Sequence, residues 1–252
     1  MRILLTNDDG IHARGLHALR AALSRAGHDI VVVAPDREQS ASSHSITLHR
    51  PLRIRSHESI GLAVDGTPTD CVLVAVREVM SGSPPDLVVS GINHGPNLGE
   101  DVTYSGTVAA AFEAQILGIP AIAASMKDRE GGDFDGAAAF IARMVDERDN
   151  WGRTATILNV NFPEGPASAW SGARLTRLGT RSYSDEIVEK VDPRGQKYYW
   201  IGGREPQWVG GEDTDFATVY GGGVSMTPLH LQLTDDRVRE ALAEWDLSWA
   251  MS

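Results

Sequence analysis

Through the first 165 residues, short apolar runs alternate with amphipathic stretches. The run 29–34 is almost continuously β-branched, which is typical of a strand covered on both faces of a parallel sheet. In the stretch 15–26, Leu16, Leu19 and Leu23 recur at helical spacing before Gly27. This alternation predicts a doubly wound, mostly parallel α/β sheet with right-handed crossovers. The predicted strands cover 3–6, 29–34, 86–90, 120–124 and 156–160, and the predicted helices cover 15–26, 69–80, 107–117 and 135–148.

The rhythm of the sequence changes after residue 163, where short strand-like runs and many glycines replace the regular alternation. A turn signal at 191–195 separates two extended runs and predicts a protruding β-hairpin. A last helix is predicted over 235–245. We therefore divide the chain into an α/β core over 1–165, an extended arm over 166–230 that carries the hairpin and completes the core, and a C-terminal helix within 231–252.

The chain carries 34 acidic and 23 basic residues, so its net charge is −11. Binding to nucleic-acid duplexes or to an anionic membrane by bulk charge needs a basic surface and is not expected. A phosphate ligand would instead need a local binding feature, such as a metal, a helix N-terminus or a backbone nest. The absence of an 18-residue apolar window, the short apolar N-terminus and the single Cys71 predict a cytoplasmic protein.

Polar residues follow three of the predicted strands at the point where each strand ends. The segment 7–10 (Asn-Asp-Asp-Gly) follows the first strand, Ser40 comes after the second, and the Asn- and Gly-rich loop 91–99 follows the strand over 86–90. In an open parallel sheet these ends lie on one edge, where ligands bind. The three segments are therefore expected to converge on one site.

The side chains at this edge offer hard oxygen ligands. The carboxylates of Asp8 and Asp9, the amide oxygen of Asn93 and the hydroxyl of Ser40 suit Mg²⁺ or Mn²⁺ and do not suit zinc. Gly10 permits the turn that both carboxylates need to reach one ion. The alternatives are an ordinary turn with a solvated charge pair at 7–10 and an ordinary tight loop at 91–99.

Two further segments open predicted helices. Ser105 and Thr107 flank Gly106 at the start of the Ala-rich helix, where a hydroxyl can cap the helix and the helix N-terminus can bind a phosphate. The segment 66–70 is a second turn into a helix, with Thr69 as a cap or Pro68 near the first helical position, and we favour a structural role for it, with a place in the ligand wall as the alternative. His12, His44 and His94 lie near the edge and remain open candidates for an acid or base, although a structural role is favoured for each.

Five separated blocks, in order along the chain, resemble the SurE (survival protein E) family of metal-dependent 5′/3′-nucleotidases. The blocks are 1–10; 33–37 with Ser40 and 44–47; 66–72; 90–99 with 104–108; and the late segments 192–195, 198–200 and 224–230. A single block would not identify the family, but five in order are highly specific. The resemblance implies a Rossmann-like core with a C-terminal arm exchanged between subunits, giving homodimers and in some members tetramers.

The same resemblance implies the site residues and the reaction. It makes Asp8, Asp9, Ser40 and Asn93 the ligands of one divalent metal ion per subunit, and Asp8, Asp9 and Asn93 the catalytic residues. The phosphate of a nucleoside 5′- or 3′-monophosphate would bind at Asn97, Ser105, Gly106 and Thr107, and short polyphosphate is a further substrate in the family. The general base or acid, the preferred base of the nucleotide and the physiological metal stay open.

Two other classes of protein carry acidic residues after a first strand. A phosphatase of the haloacid dehalogenase type needs Asp-x-Asp there, whereas Asp8 and Asp9 are adjacent. A non-catalytic Mg²⁺-binding receiver-like module has about half this length and needs a phosphorylated Asp after a later strand together with a Lys. The segment 90–93 (Ser-Gly-Ile-Asn) offers neither residue.

Overall fold

The computed structural model describes residues 1–57, 59–128, 130–151, 156–182, 187–201 and 207–245. Within these ranges the chain forms thirteen strands and six α-helices. The strands are β1 Arg2–Thr6, β2 Asp29–Pro35, β3 Ile54–His57, β4 Gly61–Val64, β5 Leu87–His94, β6 Ala121–Met126, β7 Ile157–Phe162, β8 Ala173–Leu175, β9 Thr180–Ser182, β10 Ile187–Val191, β11 Lys197–Ile201, β12 Gln207–Val209 and β13 Val224–Leu229. The helices are α1 Arg14–Arg25, α2 Pro68–Val74, α3 Gly106–Ile116, α4 Phe134–Asp146, α5 Asp215–Tyr220 and α6 Asp236–Ala241.

Nine strands form one sheet in the order β3-β4-β2-β1-β5-β6-β7-β13-β8. The six strands from β4 to β7 in this order run parallel to one another. Strand β3 is antiparallel to β4, and β13 is antiparallel to β7. Because β1, β2 and β5 are parallel, their carboxyl ends meet at one edge, and the strand order reverses direction between β1 and β5, where a ligand crevice is expected.

The core consists of two apolar layers, one on each face of the sheet. One layer packs α1 and α4 against the strands, and its largest buried side chains include Leu16, Leu19 and Phe134. The other packs α2 and α3 on the opposite face and contains Leu4, Val33 and the buried thiol of Cys71. Burial on both faces explains why the central strands are apolar at consecutive positions. The predicted mostly parallel α/β fold is confirmed.

Several elements differ from the sequence prediction. Strands β3 and β4 and helix α5 were not predicted, and the helix predicted over 69–80 divides into α2 and a π-helical turn at Ala75–Val79. The predicted hairpin is present, with β10 antiparallel to β11. Within the described residues, no helix is both long enough and apolar enough to cross a membrane.

Candidate active site

The acidic pair sits in a turn at the carboxyl end of β1. The side-chain amide of Asn7 donates a hydrogen bond to the Gly10 carbonyl (2.9 Å), and Gly10 has a φ of +94°, a conformation that favours glycine. The Asp8 carbonyl accepts the N–H of Gln39 (2.7 Å), which joins this turn to the loop after β2. The turn lets both Asp8 and Asp9 face the same pocket.

The carboxylate of Asp8 is 5% exposed. Its Oδ1 accepts a hydrogen bond from the Thr107 hydroxyl, yet burial, with a smaller contribution from the neighbouring charge of Asp9, raises the pKa of Asp8 to about 6. Among the described residues, Asp8 forms no ion pair with Lys or Arg. A buried carboxylate without a cationic side chain favours binding of a cation or a proton.

Asp9 is tied to the end of β5. Its Oδ2 accepts the backbone N–H of His94 (3.1 Å), and its Oδ1 lies 3.7 Å from His94 Nδ1. Burial and the nearby Arg14 lower the pKa of His94, which favours the neutral imidazole, while Asp8 and Glu38 oppose this shift. The strand end therefore holds Asp9 in place through a main-chain donor.

Ser40 belongs to a loop that follows β2 and lies over the pocket. Its hydroxyl donates to Glu38 Oε1 (2.6 Å), which leaves the oxygen lone pairs available to a cation. Farther along, Ser43 donates its N–H to the Tyr104 carbonyl (3.1 Å) and its hydroxyl to the Thr103 carbonyl (2.8 Å). These bonds attach the loop to the segment that precedes α3.

The segment 66–70 anchors the far end of the same loop, which supports the structural role expected for it. Thr67, rather than Thr69, caps α2, Pro68 is at the first helical position, and Asp70 completes a capping box. The Asp70 carboxylate also accepts the N–H of Thr47 (2.9 Å) and the Thr47 hydroxyl (2.6 Å). His44 lies away from the acidic pair and contacts Glu113 on α3, with 2.9 Å between Nε2 and Oε2.

The end of β5 and the loop that follows it bring two asparagines to the pocket, Asn93 from the strand and Asn97 from the loop. The Asn93 amide donates to the Gly95 carbonyl (2.8 Å), which assigns its oxygen as the atom available to a ligand. Asn97 is 7% exposed, and its side-chain amide donates to the Ser125 hydroxyl (2.8 Å). Both residues line the pocket.

Helix α3 begins at the pocket. Ser105 is its N-cap and accepts the N–H of Val108 (3.1 Å), as the sequence predicted for a residue at this position. An added Cβ at Gly106 would lie 2.8 Å from Asp8 Cβ and 2.8 Å from the Ser42 hydroxyl, so only glycine fits without displacement. Thr107 is fully buried, and its hydroxyl donates a hydrogen bond to Asp8.

These residues enclose a pocket of about 830 Å³. Asp8, Asp9, Ser40, Asn93, Asn97 and Ser105 all line it, while Gly106 and Thr107 lie behind Asp8. Sequence reasoning missed Arg181, which reaches the pocket from β9 and pairs with Asp101, because nothing local in the sequence shows where the arm docks. Other lining residues include His12, Glu38, Asp101 and Tyr104.

The chemistry of these donors fits a hard divalent cation. Two adjacent carboxylates, a hydroxyl oxygen and an amide oxygen face one pocket, which is the ligand chemistry of Mg²⁺ and Mn²⁺. The described residues contain no group of three or more His, Cys, Asp or Glu side chains placed to hold a metal. A site here would therefore depend on neutral oxygens as well as on Asp8 and Asp9.

The class of protein follows from these features: an open α/β sheet with an acidic, oxygen-lined ligand pocket at its carboxyl edge. The profile described as "Survival protein SurE" matches residues 3–185, and the chain belongs to the SurE family.

Similar proteins span almost the whole chain. A relative from Geobacter sulfurreducens (strain ATCC 51573 / DSM 12127 / PCA), named 5′-nucleotidase SurE, is 51% identical over 250 residues, covering 98% of this chain and 95% of the relative. A protein of the same name from Anaeromyxobacter sp. (strain Fw109-5) is 52% identical over 250 residues, covering 97% and 96%. The crystal structure of SurE protein from Aquifex aeolicus has a TM-score of 0.87 and 42% identity, with 100% of both chains covered.

Proposed function

We propose that this protein is a divalent-metal-dependent phosphomonoesterase that hydrolyses nucleoside 5′- and 3′-monophosphates to nucleoside and phosphate, with short polyphosphate as a further substrate. The observation that carries the proposal is the placement of Asp8, one of two adjacent carboxylates that line the pocket, directly against the N-terminus of α3. Carboxylates attract a metal, whereas a helix N-terminus attracts an anion. Their contact at one pocket suits a metal-assisted reaction at a phosphate group. The relatives named 5′-nucleotidase SurE favour a nucleotide as the substrate.

Asp8, Asp9, Ser40 and Asn93 would hold the ion. When bound, Mg²⁺ or Mn²⁺ supplies Lewis-acid chemistry, polarising the phosphoryl group and activating water. Glu38 accepts a hydrogen bond from the Ser40 hydroxyl and thereby orients the serine oxygen. Thr107 donates a hydrogen bond to Asp8 Oδ1 and thereby orients that carboxylate. The site's own residues thus prearrange each ligand atom.

The phosphate would lie between the α3 N-terminus and the loop after β5. A helix N-terminus attracts an anion through its positive dipole end and its first-turn N–H groups, although here the Val108 N–H is already bonded to the Ser105 hydroxyl. The Ser105 oxygen accepts from Val108, so its own O–H can donate to a phosphoryl oxygen. Asn97 lines the same pocket. Positioning and charge stabilisation together supply most of the rate in phosphoryl transfer.

Hydrolysis of several nucleoside monophosphates and of a generic phosphomonoester tests the proposal. We expect phosphate release with Mn²⁺ or Mg²⁺ and none after treatment with a chelator. Parallel assays of 5′- and 3′-monophosphates rank the two positions and the bases. Chelator-insensitive hydrolysis would refute the metal role, and a protein inactive with every divalent ion would favour a non-catalytic module. Trapping of a phospho-aspartate would favour the haloacid dehalogenase type.

We also propose a homodimer formed through the arm, with a tetramer as a larger assembly. The hairpin of β10 and β11 exposes a row of large apolar side chains, with Trp200 63% and Ile201 85% exposed. Exposed apolar surface of this kind marks an interaction site. Light scattering after size-exclusion chromatography should give twice or four times the chain mass, and Trp200→Glu should reduce it. A monomeric wild-type protein would refute this assembly.

A further inference from the structure

Two asparagines lie in a strand that is otherwise apolar. All six residues of β7 are buried, and Asn159 and Asn161 are both 0% exposed. Buried amides are stable only when their polar atoms find hydrogen-bond partners. Their spacing of two residues places both side chains on one face of the sheet. Their contacts show what these amides do.

Both asparagines bind the main chain of Asn97. Asn161 accepts the Asn97 N–H at its Oδ1 (2.8 Å) and donates its amide to the Asn97 carbonyl (3.0 Å). Asn159 donates to the same carbonyl (2.8 Å). The Asn161 side chain therefore pairs with both main-chain groups of one residue, as a neighbouring strand would.

The side chain of Asn97 is fixed from the next strand, because its amide donates to the Ser125 hydroxyl. Asn97 thus takes part in four hydrogen bonds with β6 and β7, all within the protein interior. Of these, Asn161 makes two. Loss of Asn161 would leave a buried N–H without its acceptor and a carbonyl with one donor fewer, so the loop would shift toward water.

We propose that Asn161 is a positioning residue, which holds Asn97 so that the Asn97 side chain meets the phosphate of the substrate. This inference rests on the proposed function, because that function makes Asn97 a phosphate ligand. Asn161 does not line the pocket and acts only through Asn97. Partners that orient a ligand-binding residue in this way affect affinity or activity by about 10- to 100-fold.

The neighbouring strand provides a matched control. Ser225 on β13 lies directly beside Asn161 in the sheet register and is also 0% exposed. Its hydroxyl has no hydrogen-bond partner among the described residues. Ser225→Ala therefore changes a buried polar residue in the same row without changing a contact to Asn97.

The experiment compares wild type, Asn161→Leu, Asn161→Asp and Ser225→Ala. Calorimetric titration measures Mn²⁺ affinity and, with Mg²⁺ present, the affinity for inorganic phosphate. Asn161→Leu removes both bonds to Asn97, while Asn161→Asp keeps the volume and an acceptor but loses the amide donor. We expect phosphate affinity to fall about 10- to 100-fold in both variants, and KM to rise more than kcat falls. Mn²⁺ affinity should stay at the wild-type value, and Ser225→Ala should match wild type throughout.

Hydrogen exchange adds a readout that is independent of turnover. The Asn97 N–H should exchange faster in Asn161→Leu and at the wild-type rate in Ser225→Ala. If Asn161→Leu does not fold, Asn161→Asp carries the comparison. Folded variants with wild-type phosphate affinity would overturn the proposal, as would parallel losses of Mn²⁺ affinity, phosphate affinity and thermal stability. Wild type that binds phosphate but hydrolyses no nucleotide would refute the proposed function alone.

Discussion

Two loops bring polar side chains to the pocket of the acidic pair, and they are held in different ways. The loop after β2, residues 36–53, is largely exposed and is attached at a few points, such as the bonds from Thr47 to Asp70. The loop after β5, residues 95–99, is largely buried, and Asn97 alone is held by side chains from two strands. The loop after β5 is therefore fixed by hydrogen bonds to the sheet, and the loop after β2 is fixed by a few separate anchors.

The difference teaches where single substitutions should act. A buried loop that shares hydrogen bonds with the core cannot move without a cost to the core. An exposed loop can be released at one anchor while the sheet remains intact. Metal affinity should therefore depend on the anchors of the exposed loop, and phosphate affinity on the bonds of the buried loop.

The largest expected effect falls on Asp8, which lies between the two loops. Burial raises its pKa from 3.8 to about 6, so the folded protein binds a proton more tightly than the unfolded chain does. The stabilisation of the folded protein by the proton on Asp8 is complete below pH 3.8 and is lost as the pH rises through 6. Without metal, Asp8→Asn should therefore raise the free energy of unfolding at pH 8 by up to about 3 kcal/mol, because the amide carries no charge.

Urea unfolding with a chelator at pH 8 and at pH 4.5 measures this effect. The gain from Asp8→Asn should shrink at pH 4.5, and added Mn²⁺ should stabilise wild type more than the variant. Equal stability of the two proteins at pH 8 would mean that the Asp8 carboxylate is not destabilised by burial.

Gly106→Ala should have the next largest effect, because Gly106 separates Asp8 from the exposed loop. Its new Cβ would approach both Asp8 Cβ and the Ser42 hydroxyl to 2.8 Å and force one of them to move. A displacement on the order of 1 Å at a reacting site lowers the rate about 100-fold. Steady-state hydrolysis measures the loss, and Gly82→Ala, where a new Cβ has no atom within 4 Å, is the control. Wild-type turnover in Gly106→Ala would contradict the predicted role of Gly106 in the spacing between Asp8 and the exposed loop.

Thr47→Val isolates the anchor of the exposed loop. The variant keeps the shape of the side chain and the backbone N–H bond to Asp70 but loses the hydroxyl bond of 2.6 Å. We expect Mn²⁺ affinity to fall about tenfold, because the loop that carries Ser40 is loosened. Thr47→Ser retains the hydroxyl and should bind Mn²⁺ like wild type. An effect on phosphate affinity alone would reverse the assignment of the two loops.

The smallest effect is expected at Ala41, beside Ser40 in the exposed loop. Its φ of +55° costs a residue with a Cβ roughly 1–2 kcal/mol. Ala41→Gly removes this strain but also raises the conformational entropy of the unfolded chain, which opposes folding. We therefore expect a net stabilisation of the folded protein below about 1 kcal/mol. Thermal unfolding measures it, with Ala26→Gly as the control because Ala26 has an ordinary φ of −75°. Destabilisation by Ala41→Gly as large as that of Ala26→Gly would argue against strain in this loop.

The parallel core was predictable because burial on both faces leaves continuous apolar runs in the sequence. Strands β3 and β13 were not predictable in this way. The residues of β3 are exposed or half-buried, and β13 contains Pro228, so neither has a strong apolar signal. The partner of β13, β7, also lies more than sixty residues earlier in the chain, and pairing over so long a separation is not encoded in a local pattern.

The site was predictable where a strand end alone places a residue, as for Asp8, Asp9 and Asn93. Arg181 was not, because its position depends on Asp215, which bonds the N–H groups of both Gly99 and Gly179 across 116 and 36 residues of sequence. Asn161 did leave a signal. Two asparagines at alternate positions of a buried strand need hydrogen-bond partners, and the structure shows that the partner is Asn97, 64 residues before Asn161 in the chain.

The antiparallel strand β13 has a consequence for the order in which the chain assembles. Strand β7 is complete at Phe162, but the strand that covers its outer edge does not begin until Val224. During synthesis, the main-chain N–H and C=O groups along that edge of β7 would stay unpaired until more than fifty further residues have been added. Such edges pair readily with other chains. Strand β13 therefore protects the nascent chain from aggregation. A chain whose synthesis ends within the arm would keep that edge of β7 exposed.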